Sequence, residues 1–330
     1  MHQKILLVQT AFPGDVILAT ALLESLNRDL PLSTLDILVR KGNETLFLNH
    51  PFVKNVLVWE KSKNKWSNLF ALISTVRKEK YDLVINLQRF SGSGLLTIFS
   101  GAKETRGFSK NPLSLFFSKK YPHKIGDGQH ETDRNYSLIS DIRKGKSADP
   151  RLYPSLSDFE KVGLMKTSPY ICIAPGSVWF TKTFPKEKWI EFIKLFRTQF
   201  KNETVYLLGS NAEAELCEGI LQQSAVENIV NLAGKLSFLQ SAALMKDAYM
   251  NFVNDSAPMH LASAMNANTT AIYCSTVPAF GFGPLADRSV IIQTIEPLSC
   301  RPCGLHGYKT CPKAHFKCAM EINVQRLIPK

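Results

Sequence analysis

No apolar run in this 330-residue chain approaches the ~18–20 residues that a membrane-spanning helix needs. The opening stretch MHQKILLVQTAFPGD has only a short apolar segment, containing Gln9 and followed by Asp15, so it does not read as a signal peptide. The expectation is a cytoplasmic protein whose first strand covers Ile5–Val8. There is no P-loop, and no G-x-G-x-x-G follows that strand; Gly92 and Gly94 make only a lone G-x-G. No two aspartates stand as Asp-x-Asp, so a metal-bridged diphosphate site of that kind has no support. No Ser-His-Asp set stands out either. Any phosphate charge must therefore be met by lysines and helix termini.

Apolar residues make up 45% and aromatics 10%, which excludes a disordered or collagen-like chain. At roughly 100–200 residues per domain the length suggests two domains. The formal charge is +12, and its placement is more telling than its size. Within Lys54–Lys124 stand 14 basic and 4 acidic residues. Such a field attracts anions: nucleic acid, an anionic membrane surface, or a phosphorylated or carboxylated glycan. A soluble, lysine-rich face is the plainer reading. The stretch contains no recognisable nucleic-acid-binding module.

Strand and helix patterns alternate twice over, which predicts an α/β protein with parallel sheets covered by helices. In the first half these are strands at 5–9, 35–40, 55–59 and 82–87, with helices at 15–28 and about 66–79. Segment 88–150 is basic and turn-rich, with a helix expected near Glu131–Arg143. The stretch KGKSADPRLYPSLSD (144–158) reads as an interdomain linker, placing domains at 1–150 and 151–330. Strands are then expected at 170–174, 204–209, 228–232, 249–253 and 269–273. Helices fill the gaps at 185–201, 212–224, 237–247 and from 256. Two Rossmann-like domains facing a central cleft are the expected architecture.

Several residues stand where strands turn into helices. Gly14 permits a tight turn and Asp15 is either a general base or an N-cap. A carboxylate at a helix N-terminus stays ionised but is a weaker base. In APGSVWFTKTFPKEKW (174–189), Ser177 and Lys182 are placed to hold phosphate oxygens, or Lys182 is a solvated loop lysine. Asn254-Asp255-Ser256 opens the helix carrying His260, whose free N–H groups suit an anion; His260 alone reads as a packed or capping histidine. Cys300, Cys303, Cys311 and Cys318 close the chain, with a zinc-like C-x-x-C at the first pair but no second one. They read as a structural metal site or as reduced, partly buried thiols, disulfides being disfavoured in a cytosolic chain.

Together these segments resemble the ADP-heptose:lipopolysaccharide heptosyltransferases, glycosyltransferase family nine, over nearly the whole chain and in order. The resemblance is carried by ILLVQTAFPGDVILATALLESL, YDLVINLQ, TRGF and HETDRNYSLI in the first half. In the second half APGSVWFTKTFPKEKW, VYLLGSNAEAE, NLAGKLS, NDSAPMHLASAMN and CRPCGLHGYKTCPKAHFKCAM carry it. It implies the GT-B fold, with acceptor on the N-terminal domain, donor on the C-terminal one, inversion at the anomeric carbon, no metal and no cofactor. Asp15 would be the general base. Ser177 and Lys182 would hold the donor diphosphate, Glu213 the ribose and Leu236 the adenine. Asp255 would meet sugar hydroxyls, with the helix start at Ser256 holding phosphate and His260 supporting it. Arg134 fits a position contacting the anionic acceptor.

One position departs from the family. Ala257 stands where Gly is usual, followed by Pro258 without an N–H, which puts phosphate binding there in question. The implied partners are an ADP-sugar, an anionic lipopolysaccharide core and the inner membrane surface, with no nucleic acid. Lys61, Lys63 and Lys65 are the expected acceptor contacts, beside Trp59 and Trp66 as sugar-stacking rings. The alternatives are a GT-B enzyme for another sugar, a nucleotide-sugar epimerase, or a noncatalytic nucleic-acid-binding protein.

Overall fold

The computed structural model describes residues 3–142 and 144–329. The chain divides into two compact units, Met1–Tyr153 and Pro154–Lys330, against an expected boundary of 150/151. In unit 1 the order is β1 (Lys4–Val8), α1 (Pro13–Asp29), β2 (Thr34–Arg40), β3 (Val53–Trp59) and α2 (Lys65–Lys78). Then follow β4 (Leu83–Asn86), α3 (Ser91–Ile98), β5 (Glu104–Phe108), β6 (Lys119–Tyr121) and α4 (Glu131–Ser137). All pairings are parallel, in the order β3-β2-β1-β4-β5-β6. The central strands are mostly apolar because helices cover both faces of a parallel sheet, with Asp36 of β2 and Asn86 of β4 buried as exceptions. Accordingly β4 is buried at every position and β1 at all but its first.

Unit 2 begins with α5 (Leu156–Gly163), β7 (Tyr170–Ala174), α6 (Lys186–Gln199), β8 (Thr204–Leu207), α7 (Ala214–Ser224) and β9 (Ile229–Asn231). It continues with α8 (Phe238–Lys246), β10 (Asn251–Asn254), α9 (Ala257–Ala264), β11 (Thr269–Tyr273), β12 (Ser289–Gln293) and α10 (Lys317–Met320). The sheet runs β12-β11-β10-β7-β8-β9, again parallel throughout. Its core is built on Trp189, Phe192, Phe196 and Phe252, all fully buried; the Phe192 and Phe252 rings lie 4.6 Å apart.

Two local readings are corrected, and the lone G-x-G finds a packing role. The stretch taken as a linker includes the first residues of α5, whose Ser155 and Asp158 form a capping box. The expected helix over 131–143 stops at Ser137 and continues as turns up to Ile142; Arg143 lies outside the described residues. Gly92 and Gly94 mark close packing: a Cβ on Gly92 would meet the Trp59 ring at 2.6 Å, and one on Gly94 the Asn111 Oδ1 at 2.5 Å. Among the described residues no helix is long and apolar enough to cross a membrane.

Candidate functional site

Read from their first strands, β1 and β7, the two sheets share one strand order. In each, the connections leave in opposite directions between the first and fourth strands, β1/β4 in unit 1 and β7/β10 in unit 2. In open α/β sheets ligands bind beyond the carboxyl ends of the strands at this reversal point. Asp15, after β1, and Ser177, Lys182, Asp255 and Ser256, after β7 and β10, fall there; Glu213 and Leu236 follow the neighbouring strands β8 and β9.

In unit 2 the 175–182 loop leaves β7 and is tied to the last residue of β10. Buried Asn254 donates from Nδ2 to Pro175 O (2.7 Å) and Gly176 O (3.2 Å), and its Oδ1 accepts from Phe184 N–H at 3.0 Å. The next residue, Asp255, receives the Lys182 ammonium at 2.8 Å and a hydrogen bond from Thr276 Oγ1 at 2.6 Å. These two charged side chains are only 15% and 8% exposed, so the pairing offsets much of the penalty for burying either alone. Lys182 is thus a gathered residue, not a solvated loop lysine.

Glu213 closes a short turn after β8, where its Oε2 accepts from Ser210 N–H (2.7 Å) and Oγ–H (2.9 Å). Its other oxygen lies 1.8 Å from where a Gly176 Cβ would stand, so Gly176 admits the carboxylate to the loop. The Ser177 Oγ accepts weakly from Trp179 N–H at 3.4 Å. Ser256 is the N-cap of α9, with its hydroxyl 3.5 Å from Gly176 O. Ala257 is the first helical residue and is absent from the residues of positive φ, so its Cβ imposes no backbone strain there. Pro258 does remove one N–H from the helix start. His260 is buried within α9, and Leu236 is half-buried between β9 and α8.

In unit 1, Asp15 does not cap α1. Phe12 is the N-cap, Pro13 opens the helix, and Asp15 stands in its first turn, where the helix dipole favours the ionised carboxylate. The preceding loop is braced from three sides. Gln88, after β4, donates to Gln9; Asn43 donates to Ala11 O at 3.0 Å; and Lys61 donates to both Thr10 O and Thr10 Oγ1 at 2.8 Å. Burial, with Arg40 and Lys65 nearby, lowers the Lys61 pKa to about 8. Lys61 also lines a cavity of about 450 Å³ with Arg40, Lys41, Trp59, Glu60 and Ser62.

The acceptor expectations fare unevenly. Lys63 and Lys65 are exposed, but Trp59 is 2% exposed and belongs to the core, so it offers no sugar-stacking face. Trp66 is 52% exposed, with the Lys65 ammonium 5.2 Å from its ring centroid. Arg134 is buried: its guanidinium donates to Glu131 (3.0 Å), Asp127 (3.2 Å) and Gln129 O (2.7 Å), bracing the loop before α4. The Glu131 and Asp127 carboxylates face Arg134. Arg106, from the basic stretch, is likewise buried against Glu104 and Asp141.

Among the described residues no three His, Cys, Asp or Glu side chains gather in a way that could hold a metal. Cys300, Cys303, Cys311 and Cys318 are free thiols, the last buried and its pKa pushed up to about 12 by burial. Asn254 and Gln88 stand inside the quoted segments NDSAPMHLASAMN and YDLVINLQ without a side-chain role read from them, and Thr276 escaped the sequence analysis.

Two doubly wound sheets with charged side chains gathered at their reversal points define a two-domain α/β enzyme of the GT-B class. Residues 69–309 match the model of glycosyltransferase family 9 (heptosyltransferase). The chain is 27% identical over 319 residues to lipopolysaccharide heptosyltransferase 1 of Pseudomonas aeruginosa, covering 91% of this chain and 86% of the relative. The structure of E. coli ADP-heptose lps heptosyltransferase II superposes with a TM-score of 0.79 at 22% identity, covering 98% of this chain and 96% of that one. An E. coli heptosyltransferase with ADP-2-deoxy-2-fluoro heptose gives 0.71 at 19% identity, over 88% and 93%. The chain belongs to glycosyltransferase family 9, the heptosyltransferases.

Proposed function

We propose that this enzyme transfers heptose from ADP-heptose to a hydroxyl of the anionic lipopolysaccharide inner core, with inversion at the anomeric carbon. The observation that carries the donor reading is the Lys182–Asp255 pair at the carboxyl ends of neighbouring strands. A diphosphate arriving there competes for the Lys182 ammonium, and Asp255 is released toward the sugar hydroxyls. Ser177, Ser256 and the α9 N-terminus add donors to phosphate, and Glu213 meets the ribose near Gly176, with Leu236 beside the adenine. Asp15 takes the acceptor hydroxyl proton as that oxygen bonds to the anomeric carbon. The bond from that carbon to the diphosphate oxygen breaks, and its electron pair leaves with ADP, where Lys182 and the helix dipole stabilise the charge. ADP is expected to raise the melting temperature in a thermal-shift assay, by about 2.7 kcal/mol of stability at a hundredfold excess over Kd. Short duplex DNA is expected to leave it unchanged; stabilisation by DNA and not by ADP would contradict the reading.

The acceptor carries negative charge, and the side of unit 1 around Lys61, Lys63 and Lys65 supplies the opposite sign. Replacing all three with Gln is expected to raise acceptor KM at low salt and barely alter donor KM. The effect should shrink with salt, because exposed charges are screened over about 8–10 Å at physiological ionic strength. Lys61 adds a pH signature. With its pKa lowered to about 8, its charge is present below that pH and lost above it, so acceptor KM should rise as pH passes 8. Lys61→Gln should abolish that rise. An acceptor KM unaltered in the triple variant at low salt would remove these residues from the acceptor site.

The lipid-borne acceptor also calls for peripheral contact with the cytoplasmic face of the inner membrane. Helix α2 turns Leu69, Leu72, Ile73 and Val76 inward, while Trp66 and Phe70, one turn apart, are 52% and 65% exposed. Aromatic side chains flanked by Lys63, Lys65 and Arg77 suit the headgroup level of an anionic bilayer. Co-sedimentation with phosphatidylglycerol vesicles is expected to fall about tenfold in the Trp66→Ser/Phe70→Ser variant, a loss of some 1.4 kcal/mol. Equal binding by both proteins would contradict this surface.

A further inference from the structure

This inference rests on Lys182 being the donor-phosphate lysine, and it concerns what holds that lysine still. A lysine ammonium is a point charge on a flexible stem, so placing it for a diphosphate requires contacts along the stem or backbone. The cysteine-rich stretch after Cys300 supplies them. Its start is anchored to the end of β11: the Arg301 guanidinium donates to Cys274 O (2.7 Å), Thr276 O (2.7 Å) and Gln293 Oε1 (2.8 Å). Cys303 N–H then donates to Ser275 O at 2.9 Å.

The neighbour of Lys182 is the node where the stretch meets the loop. Thr181 is 1% exposed. Its N–H donates to Tyr308 O at 3.1 Å, and its carbonyl accepts from Ser275 N–H at 3.2 Å. Its hydroxyl oxygen accepts from Tyr308 N–H at 2.7 Å and from Ser275 Oγ–H at 3.0 Å. Beside it Gly307, with φ of +76°, lies so close that a Cβ would stand 2.8 Å from Thr181 Oγ1 and 3.1 Å from Lys182 Cγ. The backbone at 307–308 therefore runs close beside both the Lys182 stem and the residue before it, leaving no room there for a side chain. Phe180 and Phe316, with ring centroids 5.1 Å apart, close the other side of the turn.

We infer that the 301–308 segment is a positioning element of the donor site: Gly307 and Tyr308, acting through Thr181 and Ser275, hold Lys182 where the diphosphate meets it. The segment needs no contact with the donor to do so. It also explains why a stretch poor in regular structure is fixed at both β11 and the 175–182 loop.

The test is a double-mutant cycle read by calorimetric ADP affinity, with melting temperature recorded for every variant. Thr181→Val keeps the shape and removes the hydroxyl; it is expected to weaken ADP binding about tenfold, within the range of couplings between contacting residues. Thr181→Ser retains the hydroxyl and should stay within about twofold of the parent. In a Lys182→Ala background, Thr181→Val should change ADP affinity no further, because the lysine it positions is gone. Equal losses in both backgrounds would overturn the inference and leave the segment a merely structural element. If Lys182→Ala alone leaves ADP affinity intact, the donor reading of Lys182 fails, a result distinct from additivity. Should Thr181→Val not fold, Gly307→Ala, which crowds the same two side chains, goes through the same cycle with the same two outcomes.

Discussion

Asp15→Asn is expected to lower turnover by about 10²–10⁴-fold, the usual contribution of a general base, while ADP affinity stays unchanged. At 1.36 kcal/mol per decade this removes about 2.7–5.4 kcal/mol of transition-state stabilisation. A structural role for the same carboxylate predicts something else. As Phe12 is the N-cap of α1 and Pro13 its first residue, the helix does not depend on Asp15 as a cap. What Asn loses for the fold is the charge–dipole attraction, about 0.3–1 kcal/mol, which a melting curve registers as a small shift. Steady-state kinetics, ADP calorimetry and melting temperature on one preparation separate the two. Near-normal turnover with a lowered melting temperature would make Asp15 a helix-stabilising charge and leave the reaction without its base.

Lys182→Ala is expected to weaken ADP-sugar binding by about 1.5–3 kcal/mol, the worth of a hydrogen bond to a charged group, and to slow turnover as well. The structure adds a second consequence. Removing the ammonium leaves the Asp255 carboxylate, 8% exposed, with the Thr276 hydroxyl but without the Lys182 charge that pairs it. Breaking a buried pair from one side destabilises by about 3–5 kcal/mol, so the melting temperature should fall with affinity. The double variant Lys182→Met/Asp255→Asn distinguishes the two losses: stability should return while ADP affinity stays low. Unchanged ADP affinity and rate in Lys182→Ala would remove Lys182 from the donor site.

Much of this was legible in the sequence because buried parallel strands are predominantly apolar and β-branched. KILLV, TLDILVR, YICIA and TTAIY announce β1, β2, β7 and β11 with little ambiguity. The region after Leu87 was opaque for the opposite reason. Strands β5 (ETRGF) and β6 (KKY) are short and polar, and β5 owes its buried arginine to two acidic partners that no local pattern reveals. Trp59 was misjudged because Lys63 and Lys65 nearby are solvent-facing, whereas the indole itself turns under α3 against Gly92. Asp15 was offered as a cap, although Pro13 already signalled a helix beginning two residues earlier. Arg134 was placed by family likeness alone; it pairs with Glu131 one turn away on α4 and with Asp127, which comes near only once the loop has folded back.

At the carboxyl ends of β7 and β10 the sequence motifs named the side chains but not their mutual arrangement. Lys182 and Asp255 lie far apart in the chain and meet because β7 and β10 are adjacent strands. The Asn254 amide stands at the start of a quoted motif that did not reveal its partners, and the Thr276 hydroxyl has no motif of its own.

The central claim is heptosyl transfer from an ADP-linked donor to an anionic core acceptor. Its most direct test is mass spectrometry of a defined lipopolysaccharide core acceptor incubated with the enzyme and ADP-heptose, beside other nucleotide sugars. The account predicts one heptose added to the acceptor and an equal amount of ADP released, with the product of inverted anomeric configuration. Transfer from a different nucleotide sugar with none from ADP-heptose, or epimerised donor with an unchanged acceptor, would contradict it.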